Sequence, residues 1–372
     1  MFPEWEEVEF GKLFQRRSEK NGEEFGVDKT ISVATMYFKP EGNKADEKSL
    51  PKYKVMRTGD IAFEGHINKH FKHGRFVLND IGDGIISPIF EVLQPVSELS
   101  KEVPGFWKYY INYEPVMGKI LAKCANTGIM MNRLAIKDFY KQKIKVPCIE
   151  EQRKIAAALA AYDEMIAVKT AKLETWQECK KRMVKEIFGR TKRFKDDDGM
   201  EFPEWEEKTL GTVVSITTGK LNANEMVDGG QFNFYTSGVD VFKIDKAAFN
   251  GPAITVAGNG ANVGCLHLAD GKFNAYQRTY VLQDFLACRE YIYAAIEVKL
   301  PNVIKKYKRG SVIPYIVMDM LADLKIPLPC MEEQQKIGSF LAEIDKEIQI
   351  QKEFIKTYAE GKKRMMRELM EG

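Results

Sequence analysis

The chain contains almost none of the motifs that mark an enzyme active site. Its 372 residues include no Walker loop ending in GK[ST], no GxGxxG fingerprint, no HExxH or GxSxG motif and no [DN]PP[YFW] methyltransferase motif. The Pro-Cys pairs at 147–148 and 329–330 are superficially similar to a cytosine methyltransferase nucleophile, but each one opens an acidic helix start. We therefore expect a non-catalytic chain that binds no cofactor of its own.

Paired cysteines, net charge and long apolar runs are also scarce. The six cysteines include no CxxC pair, so we expect free thiols in a reducing compartment and no zinc site. A formal net charge of +3 argues against a protein that coats nucleic acid with its whole surface. No apolar run reaches transmembrane length and no signal peptide precedes Trp5, so a cytoplasmic protein is expected.

The most informative feature that is present is an internal repeat. The segment 147–188 returns as 329–370 at a constant shift of 182 residues, with about 18 of 41 positions identical between 147 and 187. The sequence FPEWEE also occurs twice, at 2–7 and 202–207. Repeats of this kind indicate duplicated structural units. The predicted divisions are a first variable block, a long helix, a linker, a second variable block and a second helix, at 1–146, 147–189, 190–201, 202–328 and 329–372.

Both repeated segments have the apolar spacing of a heptad helix. The apolar ladder residues, which are candidates for coiled-coil packing or partner docking, are Ile155, Leu159, Tyr162, Ile166, Leu173 and Trp176 in the first copy and Ile337, Leu341, Ile344, Ile348, Ile355 and Tyr358 in the second. Matched ladders in one chain favour an antiparallel pair with pseudo-two-fold symmetry. The alternative is two independent surface helices.

Each variable block has the sequence pattern of short strands and turns followed by a helix. This pattern predicts an α+β fold with two mixed domains separated by the long helices. The predicted strands are 30–38, 53–56, 60–63, 76–78, 85–93, 213–217, 253–257 and 264–268, and the predicted helices are 105–120 and 285–298. Away from their ends the two blocks hardly align. Trp5 and Trp205, which open the two halves, are interpreted as anchors at helix–domain junctions.

A basic loop in the first block, GHINKHFKHGRF at 65–76, provides a cluster of hydrogen-bond donors. Its candidate DNA-binding residues are His66, Lys69, His70, Lys72, His73 and Arg75. The histidine spacing also permits a metal site, but no carboxylate or cysteine in the loop completes a familiar ligand set. A solvated loop without a role is the third interpretation. Lysine, arginine and histidine can donate to both phosphates and base edges.

A glycine-rich loop in the second block, GNGANVG at 258–264, is either a tight turn or a loop that brings asparagine side chains to a ligand. Further donors of the kind used on adenine, guanine and phosphate follow it. The candidate DNA-binding residues of this block are Asn259, Asn262, Gln277, Arg278, Tyr280, Lys305, Lys306, Lys308 and Arg309.

A duplicated motif at the start of each long helix resembles a motif of a known family. Its two copies are IKVPCIEEQRKI (144–155) and IPLPCMEEQQKI (326–337), and each is followed by a heptad ladder and a KKRM end. Together with the two variable blocks they resemble the specificity (S) subunit of type I restriction–modification enzymes. The resemblance spans the whole chain. It implies that the blocks are target recognition domains, each reading one half of a split DNA sequence. Because the blocks differ, the implied site is asymmetric, with half-sites about one helical turn, ~34 Å, apart.

The resemblance also implies partners. The paired helices would act as a spacer and as a docking surface for two methyltransferase (M) subunits, which bring S-adenosylmethionine and flip out an adenine. Restriction (R) subunits with ATP and Mg²⁺ would join for cleavage. Two alternatives remain open. One is a specificity subunit that serves a type II-like enzyme with fused methylation and cleavage. The other is a coiled-coil scaffold that binds DNA without reading its bases.

Overall fold

The computed structural model describes residues 2–39, 47–67, 70–128, 131–307 and 315–370. The first half contains, in chain order, β1 (Glu6–Glu9), α1 (Phe10–Leu13), β2 (Phe14–Arg16), β3 (Ile31–Ser32), β4 (Tyr37–Phe38), β5 (Lys54–Met56), β6 (Ile61–Glu64), β7 (Arg75–Leu78), β8 (Gly84–Ile86), β9 (Glu91–Pro95), α2 (Glu98–Lys101), α3 (Pro104–Tyr110), α4 (Glu114–Cys124), β10 (Ala125–Asn126), β11 (Arg133–Leu134), α5 (Ile136–Tyr140), β12 (Lys143–Val146) and α6 (Ile149–Phe188).

The second half repeats this order in outline, with ten strands where the first half has twelve and with fewer short helices. It contains β13 (Glu206–Thr209), β14 (Ser215–Thr218), β15 (Phe232–Tyr235), β16 (Val241–Ile244), β17 (Phe249–Asn250), β18 (Ala253–Ala257), β19 (Leu266–Ala269), β20 (Lys272–Ala275), β21 (Thr279–Gln283), α7 (Arg289–Tyr307), α8 (Met318–Ala322), β22 (Lys325–Leu328) and α9 (Met331–Met370). The α+β fold class is confirmed. Among the described residues, no helix combines the length and apolar character needed to cross a membrane.

Contacts divide the chain into two units. Unit 1 comprises Met1–Lys169 and Phe354–Gly372, and unit 2 comprises Thr170–Glu353. Each unit therefore contains one variable block and a part of each long helix. The predicted divisions follow the sequence repeat and treat each long helix as a separate segment, and they stay a prediction.

Each unit contains a four-stranded antiparallel sheet of the same order. The order is β2-β9-β6-β7 in unit 1 and β14-β21-β18-β19 in unit 2. The inner strands β6 and β18 consist entirely of buried residues, because neighbouring strands flank them and apolar residues cover both faces. Unit 2 has a second sheet, β16-β15-β20-β17, in which β15 and β20 run parallel.

Each FPEWEE segment leads into a strand that pairs with the strand just before a long helix. In unit 1 β1 pairs with β12, with Glu6 opposite Val146, and in unit 2 β13 pairs with β22, with Glu206 opposite Leu328. Neither β1 nor β13 was predicted as a strand. Their partners lie more than a hundred residues away in the chain, so local patterning could not reveal the pairing.

The long helices extend over forty residues each, Ile149–Phe188 and Met331–Met370, which corresponds to about 60 Å at 1.5 Å per residue. At the N-terminus of each long helix, a glutamine in the first turn donates a side-chain hydrogen bond to the carbonyl of the preceding proline. Gln152 Nε2 lies 3.1 Å from the Pro147 oxygen and Gln334 Nε2 lies 2.7 Å from the Pro329 oxygen. None of the apolar ladder residues of either helix is fully exposed.

The two helices run antiparallel within each unit. In unit 1 Asp163 accepts a hydrogen bond from Lys362 at 2.5 Å, while further along the helix Lys169 lies over the Phe354 ring at 4.4 Å. In unit 2 Lys180 pairs with Asp345 at 2.8 Å, and Leu173 and Trp176 pack with Ile337, Leu341, Ile344 and Ile348 in one hydrophobic cluster. Burial of each such apolar side chain contributes about 1.5–3 kcal/mol. The ladder positions therefore hold the pair together inside each unit.

Several predicted elements are divided in the structure. The segment 30–38 contains two short strands, β3 and β4, because the chain reverses between them and Met36 adopts a left-handed backbone with φ 48°. The segment 85–93 contains β8 and β9, which are separated by a turn at Ser87–Phe90. The predicted helix 105–120 is α3 and α4, and α4 restarts with Pro115 in its first turn.

Candidate nucleic-acid interface

The two loops that the sequence analysis selected occupy the same place in the two matched sheets. The β6–β7 loop, residues 65–74, joins the third and fourth strands of the unit 1 sheet. The β18–β19 loop, residues 258–265, joins the third and fourth strands of the unit 2 sheet. The loop sequences do not align, so only the strand order reveals this equivalence. Each unit thus presents a different set of polar side chains at an equivalent sheet edge.

A carboxylate fixes the two ends of the β6–β7 loop. Glu64 is nearly buried, and its Oε1 lies 2.5 Å from Nδ1 of the exposed His66. Its Oε2 lies 3.4 Å from Nε of Arg75, whose terminal nitrogen also donates to the Ala34 carbonyl at 2.5 Å. Arg75 is therefore engaged by the protein. His66 keeps most of its side chain in solvent.

The middle of this loop carries the accessible side chains. His70 and Lys72 are exposed and His73 is half-buried, whereas Lys69 lies outside the described residues. The loop backbone is held, because Asn132 Nδ2 donates to the Lys72 carbonyl at 3.3 Å. Asn132 N also donates to the Gly65 carbonyl at 2.8 Å, at a distance that leaves no room for a side chain on Gly65. Lys72 and His70 are therefore exposed on a loop whose backbone is held by hydrogen bonds.

In unit 2 the structure brings two separate sequence segments together at the sheet edge. The Gly258 nitrogen donates to the Arg278 carbonyl at 2.8 Å, and a Cβ on Gly258 would lie 2.4 Å from that oxygen, so only glycine permits this approach. Gln277 and Arg278 are exposed in the turn before β21. Gln277 Nε2 donates to Asn222 Oδ1 at 3.0 Å, which orients its amide.

The remaining candidates at this edge differ in accessibility. Asn262 is exposed at the tip of the β18–β19 loop, and Asn259 accepts a hydrogen bond from Ser237 Oγ at 2.7 Å. Tyr280 is buried, and its hydroxyl donates to the Ile316 carbonyl at 2.9 Å. Burial raises the pKa of the Tyr280 phenol above its ordinary value. Tyr280 therefore supports the edge from inside.

The basic end of α7 approaches the same loop. Lys305 is exposed and lines a cavity of about 540 Å³ with Val263, Gly264 and Ile304. Lys306 is also exposed, in the last turn of the helix. Lys308 and Arg309 lie outside the described residues.

Four further residues at the unit 2 edge were not selected from the sequence. Lys220 and Asn222 follow β14, Tyr276 precedes β21, and Tyr315 forms a β-bridge with Asn259. Lys220, Asn222 and Tyr315 are exposed. The end of β14 lies beside the start of β21, with Thr218 opposite Tyr280. A predicted strand order, rather than a local motif, would have been needed to find them.

Neither edge has the composition of a metal site. Over the described part of the chain, no group of three or more histidine, cysteine, aspartate or glutamate side chains is placed to hold a metal ion. The histidines of the β6–β7 loop and the cysteine of the β18–β19 loop lie in different units. Burial raises the pKa of the Cys265 thiol, which favours an inert thiol over a thiolate ligand. The polar groups at both edges suit hydrogen bonding.

The residues proposed for coiled-coil packing or docking are largely occupied within their own units. Ile155 and Leu159 belong to the core of unit 1, and Tyr162 packs edge-on against Tyr358 with ring centroids 6.4 Å apart. Ile166 and Ile355 are half-buried. Other faces of the two helices carry exposed apolar side chains, among them Met165, Val168, Phe340 and Ile350.

Comparison with protein families identifies relatives for most of the chain. Residues 91–175 and 203–357 match the model of the type I restriction modification DNA specificity domain. The chain is 35% identical over 146 residues, 38% of its length, to the type I restriction enzyme EcoDI specificity subunit of Escherichia coli. That match spans about a third (32%) of the E. coli protein. The chain is also 25% identical over 327 residues to the MjaVIII specificity subunit of Methanocaldococcus jannaschii, covering 78% of this chain and 74% of that protein.

Solved structures share the fold at low sequence identity. The S subunit of a type I restriction–modification system from M. genitalium superposes with a TM-score of 0.72 at 16% identity, covering 98% of this chain and 96% of that one. A chain from a structural study of complex assembly and conformational transition in a type I R-M system gives a TM-score of 0.53 at 17% identity, with coverage of 100% and 98%. At these identities the likeness establishes the fold alone.

Proposed function

We infer the function from the family to which the chain belongs, that of the type I restriction modification DNA specificity domain. The chain acts as the DNA-specificity subunit of a type I restriction–modification complex. It recognises a two-part, asymmetric DNA site and has no catalytic residues of its own. Its place of action is the cytoplasm.

One observation carries the proposal of a split and asymmetric site. The two units contain sheets of the same strand order, yet the equivalent loops present different chemistry. In unit 1 the exposed donors are a lysine ammonium and imidazole rings, whereas in unit 2 amides and a guanidinium stand beside the exposed lysines Lys220 and Lys305. Amides suit adenine and a guanidinium suits guanine, while lysine also serves as a phosphate contact. Two different sets of loop side chains on equivalent sheets are suited to recognise two different half-sites.

The divisions of the chain acquire roles in this proposal. Residues 1–146 and 202–328 are the two target recognition domains, residues 147–189 and 329–372 are coiled-coil spacer helices, and residues 190–201 are the linker. The heptad ladders and their charge pairs, Asp163 with Lys362 and Lys180 with Asp345, support the coiled coil. The spacer helices also provide the docking surface for partners.

The partners supply the chemistry. Two methyltransferase subunits carry S-adenosylmethionine and take the target adenine out of the duplex, and restriction subunits use ATP and Mg²⁺. The DNA-specificity role of the family supports this division of labour. The exposed apolar residues Met165 and Val168 on α6 are suited to contact such a partner, since apolar side chains on an otherwise polar helix face favour protein contacts.

A selection experiment tests this function. The purified chain, assembled with its methyltransferase partner, is used to select duplexes from a library with two randomised blocks separated by gaps of different length. The proposal predicts enrichment of two unlike blocks at one fixed gap. Uniform retention of all duplexes would instead establish a scaffold without base readout. A single large partner protein in the active complex would indicate the fused, type II-like alternative.

A further inference from the structure

The starts of the two long helices are surrounded by the same side chains in both units. The repeated frame consists of Phe2 and Phe202, Trp5 and Trp205, Tyr110 and Tyr291, Glu151 and Glu333, and Lys154 and Lys336. The indole–phenol contacts match, with centroids 6.0 Å apart in unit 1 and 6.3 Å apart in unit 2. The lysine–phenylalanine contacts also match, at 4.7 Å and 5.5 Å. Differences within this frame are therefore informative.

In unit 2 an arginine from the linker occupies the frame. Glu333 is fully buried, and its carboxylate accepts hydrogen bonds from Arg193 at 2.9 and 3.3 Å and from Trp205 Nε1 at 2.8 Å. Arg193 also donates to the carbonyls of Phe202, at 3.1 Å, and Pro203, at 2.7 Å. Its guanidinium carbon lies 5.9 Å from the Trp205 ring. The glutamate raises the pKa of Arg193, as expected for a close ion pair.

In unit 1 no described residue takes the place of Arg193. Glu151 is equivalent to Glu333, and its Oε2 is buried without a hydrogen-bond partner among the residues that the structure describes. The space beside it is a cavity of about 950 Å³ lined in part by Phe2, Trp5 and Met370. A buried carboxylate oxygen without a partner is costly, so this arrangement is incomplete as it stands.

The lysines that line the same cavity do not complete it. Lys119, Lys143 and Lys145 contribute to its wall, and Lys143 pairs with Glu7 at 3.2 Å. Within the described chain, none of these ammonium groups forms an ion pair with Glu151. They would repel any cation that enters alone, but they would attract acidic groups that accompany a cation bound at Glu151. A complementary ligand therefore combines a guanidinium with carboxylates.

The linker in unit 2 has this combination. Arg193 is followed closely by Asp196, Asp197 and Asp198, and Lys336 donates to Asp197 at 2.7 Å and to the Lys195 carbonyl at 2.9 Å. The equivalent lysine in unit 1, Lys154, is exposed. The cavity volume lies within the range of ligand pockets, roughly 300–1,000 Å³, and is much larger than a single ion needs.

We propose that this cavity of unit 1 binds an arginine of a partner polypeptide, with the guanidinium on Glu151 and against Trp5 and with following acidic residues near Lys154. The site is a protein-docking pocket for a segment that resembles the chain's own linker. The inference does not depend on the proposed DNA-recognition function, because it rests on the internal repeat and on Glu151 alone. Arginine is the suitable cation, because its planar fork matches a carboxylate and stacks on indole.

A binding measurement with a model segment tests the proposal. A fluorescein-labelled peptide with the sequence of residues 189–199 is titrated with the full chain and followed by fluorescence anisotropy. A second peptide carries alanine in place of the arginine that corresponds to Arg193. The variants are Glu151→Gln, which removes the charge with little change of shape, and the matched control Glu333→Gln in unit 2. Circular dichroism verifies that each variant is folded.

The expected result separates the two glutamates. The wild-type chain binds the peptide, and both Glu151→Gln and the alanine peptide weaken the binding by about tenfold or more, as loss of a charge-assisted bidentate contact requires. Glu333→Gln leaves the affinity unchanged. Absence of binding to the wild-type chain, equal binding by Glu151→Gln, or a loss confined to Glu333→Gln would each overturn the proposal.

Discussion

At the scale of single residues, accessibility separates the polar side chains that can meet DNA from those that hold the loops in place. Arg278 and Gln277 project from a turn whose backbone is fixed by Gly258, and Lys72 projects from a loop fixed by Asn132. Arg75 and Tyr280 have the right chemistry but are engaged by Glu64 and the Ile316 carbonyl. The exposed residues are therefore the ones to change first.

We expect Arg278→Ala to weaken recognition of one half-site only. If the guanidinium contacts a base edge, the loss is about 1–3 kcal/mol and relaxes the preference at one position. Lys72→Ala is expected to affect the other half-site. Competition binding with duplexes altered in one half-site at a time measures both effects, with Arg182→Ala, an exposed arginine on α6, as the control. Equal losses for both half-sites with Arg278→Ala would contradict the assignment.

The two equivalent glutamates predict unequal stability effects. Glu333→Gln weakens a buried contact to Arg193 and Trp205, so we expect it to lower the free energy of unfolding by about 1.5–3 kcal/mol. Glu151→Gln removes the charge from a buried carboxylate oxygen that has no partner among the described residues, so we expect it to leave the free energy of unfolding unchanged or to raise it. Urea unfolding of the full chain, followed by tryptophan fluorescence, compares the two variants. Similar decreases in the free energy of unfolding for both variants would contradict the proposed difference between Glu151 and Glu333.

The sequence could identify donors but could not show which of them the fold uses internally. In the second block, Asn259, Gln277 and Arg278 could be selected as candidates because they lie in or next to turns. Tyr280 stood in the same run, but its hydroxyl is directed inward by its position in β21. Lys220 was missed because it reaches the edge through a strand pairing between distant segments. Contact of any of these residues with DNA stays a prediction.

At the scale of secondary-structure elements, the long helices were the most predictable part of the chain. Their heptad spacing lies within helices of forty residues and occurs in both copies, so each copy supports the prediction made for the other. The strands were less predictable because none of the strands described above exceeds five residues and several pair with distant segments. The β15–β20 pair is parallel, so no hairpin turn in the sequence indicates it.

The length of the helices provides a test of their spacer role. We expect that a heptad inserted after Lys172 and another after Lys352 will lengthen the gap between the half-sites and leave both half-site sequences unchanged. Seven helical residues extend about 10.5 Å, which corresponds to about three base pairs of DNA. The methylated motif of cells that carry the variant measures the gap.

The control for this experiment inserts a heptad after Lys172 only. That change places the charge pairs of α6 out of step with those of α9, so we expect loss of recognition rather than a new gap. An unchanged gap in the double insertion, with both half-sites still recognised, would refute a spacer role for the helices.

At the scale of the whole molecule, duplication accounts for the plan and divergence accounts for the specificity. The repeated parts are those that pair within each unit, the FPEWEE strand and the strand before the long helix. The repeat made the two halves predictable from the sequence. The contact units were not, because each long helix contributes to both of them.

The matched junctions predict that the recognition blocks can be exchanged. In a chain with residues 8–146 replaced by residues 208–328, the pairing of FPEWEE with the strand before the helix is kept. We expect this chain to recognise two copies of the second half-site sequence. Selection from a gapped duplex library measures the outcome, and the reciprocal exchange serves as the control. Retention of two unlike half-sites would contradict the assignment of one block to each.

The most direct test of the central claim is genome-wide mapping of adenine methylation in the host, with the gene intact and with it deleted. Expression of the methyltransferase partner is verified in both strains. Our account predicts that deletion abolishes methylation at one two-part, gapped and asymmetric motif, and that the gene restores it. An unchanged methylation map, with the partner expressed and active, would contradict the claim that this chain specifies the DNA site.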